Sequence, residues 1–199
     1  MYKRQANNLL TTSEIDAVRD QIAKSAYLVC QLEIDLALTL HALRVARSVG
    51  TPTILNPAPA VESLPPEIYE LTDIFCPNET ETAILTGLKI DSVASAEIAA
   101  HELLSRGVKT VLITLGENGC LIVNSEGAIH IPADKVQVVD TTGAGDAFVG
   151  ALAHFLALGL TLKNAATRAV KVASISVQGK GTQSSFPERS SIPAEILAT

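Results

Sequence analysis

SAEIAAHELLSRGVKTVLITL, residues Ser95–Leu115, decides the fold class. Small and apolar residues recur at helical spacing from Ser95 to Arg106, and Gly107 follows as a usual helix terminator. Lys109–Leu115 (KTVLITL) is then the clearest buried strand in the chain. It is apolar along a run instead of at every second residue, which indicates a strand covered on both faces, the habit of parallel sheets packed between helices.

Outward from this unit the same alternation repeats. Upstream, Thr11 and Glu14 form a capping-box start, with Ile15, Val18 and Ile22 at helical spacing through Lys24. Tyr27–Leu32 reads as a strand, Asp35–Val49 as a helix stopped by Gly50, and Thr53–Leu55 as a strand entering the loop NPAPA, Asn56–Ala60. A short helix starts after Pro65–Pro66, Ile74–Cys76 is a further strand, and Asn78 caps a helix that ends at Gly87. Downstream, Cys120–Val123 and Ala128–Ile131 predict a small hairpin, Val136–Val139 one further strand, and about Ala144–Leu158 and Leu162–Val177 two long helices separated by Gly159. The expected fold is α/β: a doubly wound, mostly parallel sheet flanked by helices in three Rossmann-type layers, forming a single domain over residues 1–199 with no repeat or linker.

The composition suits a buried core. Of 199 residues, 47% are hydrophobic, and 15 basic against 21 acidic residues give a net charge of −6. Disorder and a basic nucleic-acid stripe are therefore not expected. The longest apolar stretch, Ala147–Leu160, is short for a membrane span and is interrupted by His154, and the N-terminus lacks a signal-peptide pattern. Cys30, Cys76 and Cys120 form no C-x-x-C pair, so they read as buried small hydrophobes in a reducing, cytoplasmic setting.

In open α/β sheets, ligands bind beyond the carboxyl ends of the strands, and one such junction is unusual: Asp140-Thr141-Thr142-Gly143-Ala144-Gly145-Asp146. Small residues at a helix N-terminus let backbone N–H groups approach an anion, and the helix dipole adds partial positive charge. Gly143, Ala144 and Gly145 thus suit a developing phosphoryl charge, and Asp146 suits a proton acceptor. A Thr/Gly turn with two capping aspartates is the plainer alternative.

DTTGAGDAF (Asp140–Phe148) resembles the C-terminal signature of the ribokinase-like, or PfkB, carbohydrate kinase family. Three stretches agree in order and spacing: PNETE (Pro77–Glu81) with that family's Mg-ATP junction, TLGENG (Thr114–Gly119) with its nucleotide loop, and GTQSSFP (Gly181–Pro187) with its adenine and cation segment. The resemblance implies a fold of that family and ATP-dependent phosphorylation of a small sugar, with Asp146 as the base and Gly143, Ala144 and Gly145 as the anion hole. It implies that Asn78 reaches the phosphates and Glu81 the Mg2+–water cluster; helix capping is the alternative for both. Thr114, Leu115, Gly116, Glu117, Asn118 and Gly119 would hold the nucleotide, or form only a strand-ending turn. Asp140, Thr142, Ser176, Gly179, Gly181 and Ser185 would surround K+, and Glu33 would contact the sugar or merely start a helix.

QLE (Gln31–Glu33) and NPAPA look most like the members that phosphorylate D-ribose, at its 5-hydroxyl; fructokinase, adenosine kinase and keto-deoxygluconate kinase relatives stay open as alternatives. Two departures stand out. Val170 occupies a place where relatives often carry Asn or His near adenine, and Lys180 between two glycines reads as a solvated charge. Residues 1–26 resemble neither the lid nor the Gly-Gly-rich sugar segment with which such chains begin, so the sequence is expected to be the C-terminal two-thirds of such an enzyme, a homodimer at full length, or else a non-catalytic nucleotide-binding module.

Overall fold

The computed structural model of the protein describes residues 7–198. Local signals start and stop most elements where the sequence predicts. Thr11 caps α1 (Thr12–Ala17) through a reciprocal box in which the Glu14 carboxylate accepts the Thr11 N–H at 2.8 Å. The helix expected to continue to Lys24 is interrupted at Val18, whose N–H turns back three residues to the Ile15 carbonyl, and α2 (Arg19–Lys24) follows. That i to i−3 bond tightens the turn at a β-branched residue.

β1 (Leu28–Cys30) is shorter than expected and leads to α3 (Leu36–Val49). Asp35 accepts the Ala37 N–H at 2.8 Å at the start of α3, and Gly50 ends it with φ of 78°. β2 (Thr53–Leu55), α4 (Pro66–Glu70), β3 (Ile74–Phe75), α5 (Glu79–Thr86), α6 (Val93–Ser105) and β4 (Thr110–Thr114) keep the alternation. α6 begins earlier than its apolar spacing suggests, because the Ser92 side chain accepts the Ser95 N–H at 3.1 Å.

β1 pairs with β2, β2 with β3 and β3 with β4, all parallel, placing Leu28 opposite Thr53, Ile54 opposite Ile74 and Phe75 opposite Val111. Parallel neighbours cannot be joined by tight turns, so each connection carries a helix. β5 (Cys120–Asn124) and β6 (Gly127–Ile131) form the expected hairpin, and six strands run in the order β1 to β6. The result is the predicted α/β fold, a mostly parallel sheet flanked by helices. The further strand expected at Val136–Val139 is not formed. Val138 and Val139 are more than half exposed, and the Val139 and Asp140 N–H groups both donate to the Val177 carbonyl. Valine favours extended backbone, but without burial on a sheet face that preference gains little.

The chain forms two compact units: residues up to Ile113 with Val123–Ala128, and Thr114–Ile122 with the chain from Ile129 onward. In the first, Leu43, Ile54, Leu55, Phe75, Val111, Leu112 and Ile113 are fully buried, each aliphatic side chain contributing about 1.5–3 kcal/mol relative to exposure. Ile15 and Ile22 pack with Ala42, Val45 and Ala46 in a cluster that holds α1 and α2 to α3. In the second unit, α7 (Ala144–Ala157) packs along α8 (Leu162–Ser176). Phe148, Leu152 and Phe155 of α7 and Ala165, Ala166 and Ala169 of α8 are buried.

At the amino ends of the central strands, Asp73 ties three elements together. Its carboxylate accepts the Thr53 N–H at 2.9 Å and the Lys109 ammonium at 2.6 Å, and the Thr53 hydroxyl accepts the Asp73 N–H at 3.0 Å. Burial alone would raise its pKa; the Lys109 ammonium and Thr53 N–H outweigh it and hold the carboxyl below the usual carboxylate range. We expect Asp73→Ala to cost about 1–3 kcal/mol in denaturant unfolding at pH 7. Because the folded pKa is depressed, the charge contribution is complete above the unfolded value of about 3.9 and is lost as pH falls below it. The gap between variant and wild type should therefore narrow in acid; a gap of constant size would exclude the ionised carboxylate as its source.

Candidate active site

In the second unit, Asp140–Asp146 leaves an extended segment and enters α7. The Asp140 carboxylate is a clasp: Oδ1 accepts the Thr142 N–H and Oδ2 the Gly181 N–H, each at 2.9 Å. The Thr142 hydroxyl and N–H, the Gly181 N–H and the charge of Lys180 bring its pKa down to about 2. Asp140 is therefore a carboxylate at any physiological pH. Lys180, read from the sequence as merely solvated, is exposed but contributes to this field.

Gly143 precedes α7 with φ of 83°, and a Cβ there would lie 2.9 Å from Thr182 Cγ2 and 3.1 Å from the Phe186 ring. Only glycine meets both demands. Gly145 differs: nothing stands within 4 Å of a Cβ placed on it, so the first turn of α7 presents an open face there. The Ala144 N–H donates to the Thr141 carbonyl at 3.1 Å, so an anion drawing on this amide must share or displace that bond. Exposed Asp146 occupies the third position of α7. Gly181 is bonded to Asp140, whose own N–H donates to the Val177 carbonyl at 3.1 Å, and Gly179 stands against Ser176 and Ser185. The Gly179 N–H donates to the Ser176 carbonyl at 3.1 Å, and a Cβ on Gly179 would lie 3.1 Å from Ser185. An open cleft of about 450 Å³, lined in part by Gly179, Ser184, Ser185 and Phe186, adjoins them.

Thr114–Gly119 closes on itself in the same unit. Gly116–Asn118 makes a 3-10 turn, the Leu115 N–H donates to the Gly119 carbonyl at 2.8 Å, and the Asn118 N–H donates to the Leu115 carbonyl at 2.9 Å. Gly119, with φ of 85°, lies against backbone: a Cβ would be 2.7 Å from Ala133 N, 2.8 Å from Pro132 C, and closer still to the Ile131 carbonyl. His130 Nε2, 2.7 Å from the Asn118 carbonyl, braces the turn, a contact that no motif signalled. Val170 is buried on α8.

In the first unit, Asn78 and Glu81 form a capping box on α5: Asn78 Oδ1 accepts the Glu81 N–H at 2.8 Å and Glu81 Oε2 accepts the Asn78 N–H at 2.9 Å. Glu81 is only 5% exposed, and burial pushes its pKa up against the opposing Asn78 N–H. Exposed Glu33 follows β1, and its carbonyl accepts from the Asn7 amide at 3.4 Å. A side-chain link that neither QLE nor NPAPA signals joins the two stretches. Gln31 Nε2 donates to Asn56 Oδ1 at 2.9 Å, and Asn56 Nδ2 donates to the Cys76 carbonyl at 2.8 Å.

Among the described residues no three His, Cys, Asp or Glu side chains converge, so there is no all-protein metal cage. The donors do fit an Mg2+ that keeps its waters and phosphates, since Glu81 is a desolvated carboxyl that a nearby cation would favour in its charged form. They also fit a monovalent cation, since Asp140 stays ionised beside a glycine-rich backbone turn. Burial raises the Cys30 thiol to about 11 and the Cys120 thiol to about 12, so neither is a nucleophile at neutral pH. No helix among the described residues is long and apolar enough to cross a membrane.

The sequence matches the pfkB family carbohydrate kinase description over residues 1–189, and the chain belongs to that family. It is 44% identical to the ribokinase of Mus musculus over 196 residues, covering 96% of this chain and 61% of the relative. To the deoxyribokinase of Salmonella typhi it is 40% identical over 182 residues, covering 92% and 60%. Among solved structures, Arabidopsis thaliana ribokinase complexed with ribose and ATP superposes with a TM-score of 0.85 at 30% identity, covering 92% of this chain and 59% of that one. The ribokinase of Thermotoga maritima gives 0.84 at 35% identity, covering 98% and 63%. The chain thus spans about three-fifths of the length of these relatives.

Two glycine substitutions separate strain from crowding. Gly50→Ala meets empty space and should cost only the left-handed penalty of about 1–2 kcal/mol. Gly119→Ala meets backbone as well and should lose about 1–3 kcal/mol more, measured by thermal or denaturant unfolding. Equal losses at the two sites would show that the Gly119 turn yields freely.

Proposed function

We propose that the protein is the catalytic, nucleotide-binding part of a sugar kinase that phosphorylates D-ribose at its 5-hydroxyl with ATP. The observation that carries this is Asp146 in the first turn of α7, behind a Gly143–Gly145 segment whose geometry only glycine allows at Gly143 and whose face is open at Gly145. Asp146 takes the proton of the sugar hydroxyl as that oxygen bonds to the γ-phosphorus; the bond from the γ-phosphorus to the β,γ-bridging oxygen breaks, and ADP leaves. Backbone N–H groups at the start of α7 meet the charge on the transferred group, which suits a chain of net charge −6. Mg2+, when bound, neutralises phosphate charge. Asn78 and Glu81 are assigned to the phosphates and the Mg2+ waters, Thr114–Gly119 to the nucleotide, Glu33 to the sugar, and the turn around Asp140 with Thr142, Ser176, Gly179, Gly181 and Ser185 to K+.

Ribose is favoured over other sugars by the relatives named ribokinase and by the complex of one of them with ribose and ATP. The deoxyribokinase relative makes 2-deoxyribose the comparison to run. A nucleotide-binding module without turnover is the second reading, favoured by the chain covering 61% of the mouse enzyme.

The test is ADP release from Mg-ATP with ribose, 2-deoxyribose or fructose, by the chain alone and supplied with the unmatched segment of mouse ribokinase as a separate polypeptide. Ribose-dependent release is expected, and Asp146→Asn should lower it roughly 10²–10⁴-fold. Near-normal turnover in that variant removes Asp146 as the base. Mg-ATP binding without release under either condition establishes the module instead.

A further inference from the structure

We infer that Asn56 is a positioning residue that sets the Gln31–Glu33 turn and the Pro77–Glu81 turn at one mutual spacing, so that the contacts assigned to sugar and to Mg-ATP in this unit depend on one buried side-chain amide. The inference rests on the proposed function for the roles of Glu33, Asn78 and Glu81, and on geometry for the linkage. Asn56 stands one residue beyond β2, between the ends of β1 and β3, and is 8% exposed. Its own N–H donates to the Cys30 carbonyl at 3.0 Å, continuing the ladder on the β1 side. Its side chain then works in both directions. Oδ1 accepts from Gln31 Nε2 at 2.9 Å on the β1 side, and Nδ2 donates to the Cys76 carbonyl at 2.8 Å on the β3 side.

Neighbouring bonds seat the turns that this amide joins. The Leu32 N–H donates to the Ala58 carbonyl at 2.8 Å, the Thr39 hydroxyl donates to the Gln31 carbonyl at 3.3 Å, and the Cys76 N–H donates to the Leu55 carbonyl at 2.8 Å. Glu33 lies two residues from Gln31, and Asn78 two residues from Cys76.

The residue type follows from the task. A buried amide is costly unless both its ends are paired, and here each end faces a partner of the right kind. Aspartate would set a carboxylate against the Cys76 carbonyl, and leucine would supply neither bond. The three strands are held by ladders of two or three residue pairs, so lateral bonds beyond the ladder determine where the turns stand. Placement to within about 0.5 Å is what transfer chemistry requires.

The test measures Mg-ATP affinity of the full chain by calorimetry, with amide hydrogen exchange, for wild type, Asn56→Ser, Gln31→Ala and Ile68→Val. Ile68 is fully buried in α4 and serves as a destabilised control outside the network. Asn56→Ser and Gln31→Ala should weaken Mg-ATP roughly 10-fold. They should speed exchange at Glu33 and Asn78 and leave exchange across Asp140–Asp146 unchanged; Ile68→Val should leave the affinity as in wild type. If wild type binds Mg-ATP and both network variants bind it equally well, or weaken only as Ile68→Val does, the inference is overturned and the kinase function stands. If wild type binds no Mg-ATP, the proposed function fails and this inference fails with it. Should Asn56→Ser not fold, Gln31→Ala decides alone, because half-buried Gln31 can be shortened without opening the core.

Discussion

Parallel pairing of β1, β2, β3 and β4 is the constraint on which the rest of the first unit depends. Strands that run the same way end on the same edge, so the turns after β1, β2 and β3 emerge together although their residues are far apart in sequence. The opposite edge is tied by Asp73, which reaches Thr53 at the start of β2 and Lys109 just before β4. Charge pairs hold the edge away from the turns, and neutral amides hold the edge that carries them. A neutral amide link adds no net charge to the turns it joins, whereas an ion pair there would add two fixed charges to their field.

The second unit handles charge differently. The segment entering α7 carries glycines and no basic side chain, and the acid Asp140 stands at its start. By accepting from Thr142 on its own turn and Gly181 on the opposing loop, Asp140 spends its two oxygens on backbone and fixes how the loop faces the start of α7. Phe186 and Thr182 then stand against Gly143, so a side chain at that position would push the loop away. The glycine requirement and the carboxylate clasp are two aspects of one contact between neighbouring backbones.

Periodicity and caps were sufficient for most of the fold. Asp35, Gly50 and the Thr11–Glu14 box act within one or two turns of themselves, and such information is local; the Ser92 cap is equally local but falls outside the apolar spacing that marked α6. Two expectations failed, the strand for a non-local reason and the helix for a local one. Val136–Val139 has strand residues but no place on a sheet face, and the break at Val18 has no marker stronger than a single β-branched residue. The site divides in the same way. The glycine-bearing turns could be found from residue type, because positive φ and close approach demand glycine at Gly119 and Gly143. The Gln31–Asn56–Cys76 link could not, because it joins residues 25 and 20 positions apart and one partner is a backbone carbonyl without a side-chain signature.

Asn78 and Glu81 show why capping and function need not be rivals. Their box satisfies backbone donors at the start of α5, a local service that any soluble helix can use. Ordinary capping leaves the acid near solvent, where its charge costs little. Here the acid is buried and its pKa is raised, so the box retains a carboxyl under conditions that disfavour its charge. A helix needing only a cap would be served as well by glutamine at the third position, which makes the same bond without a buried charge. The glutamate keeps, at a position fixed by the cap, a buried carboxyl that capping alone does not require.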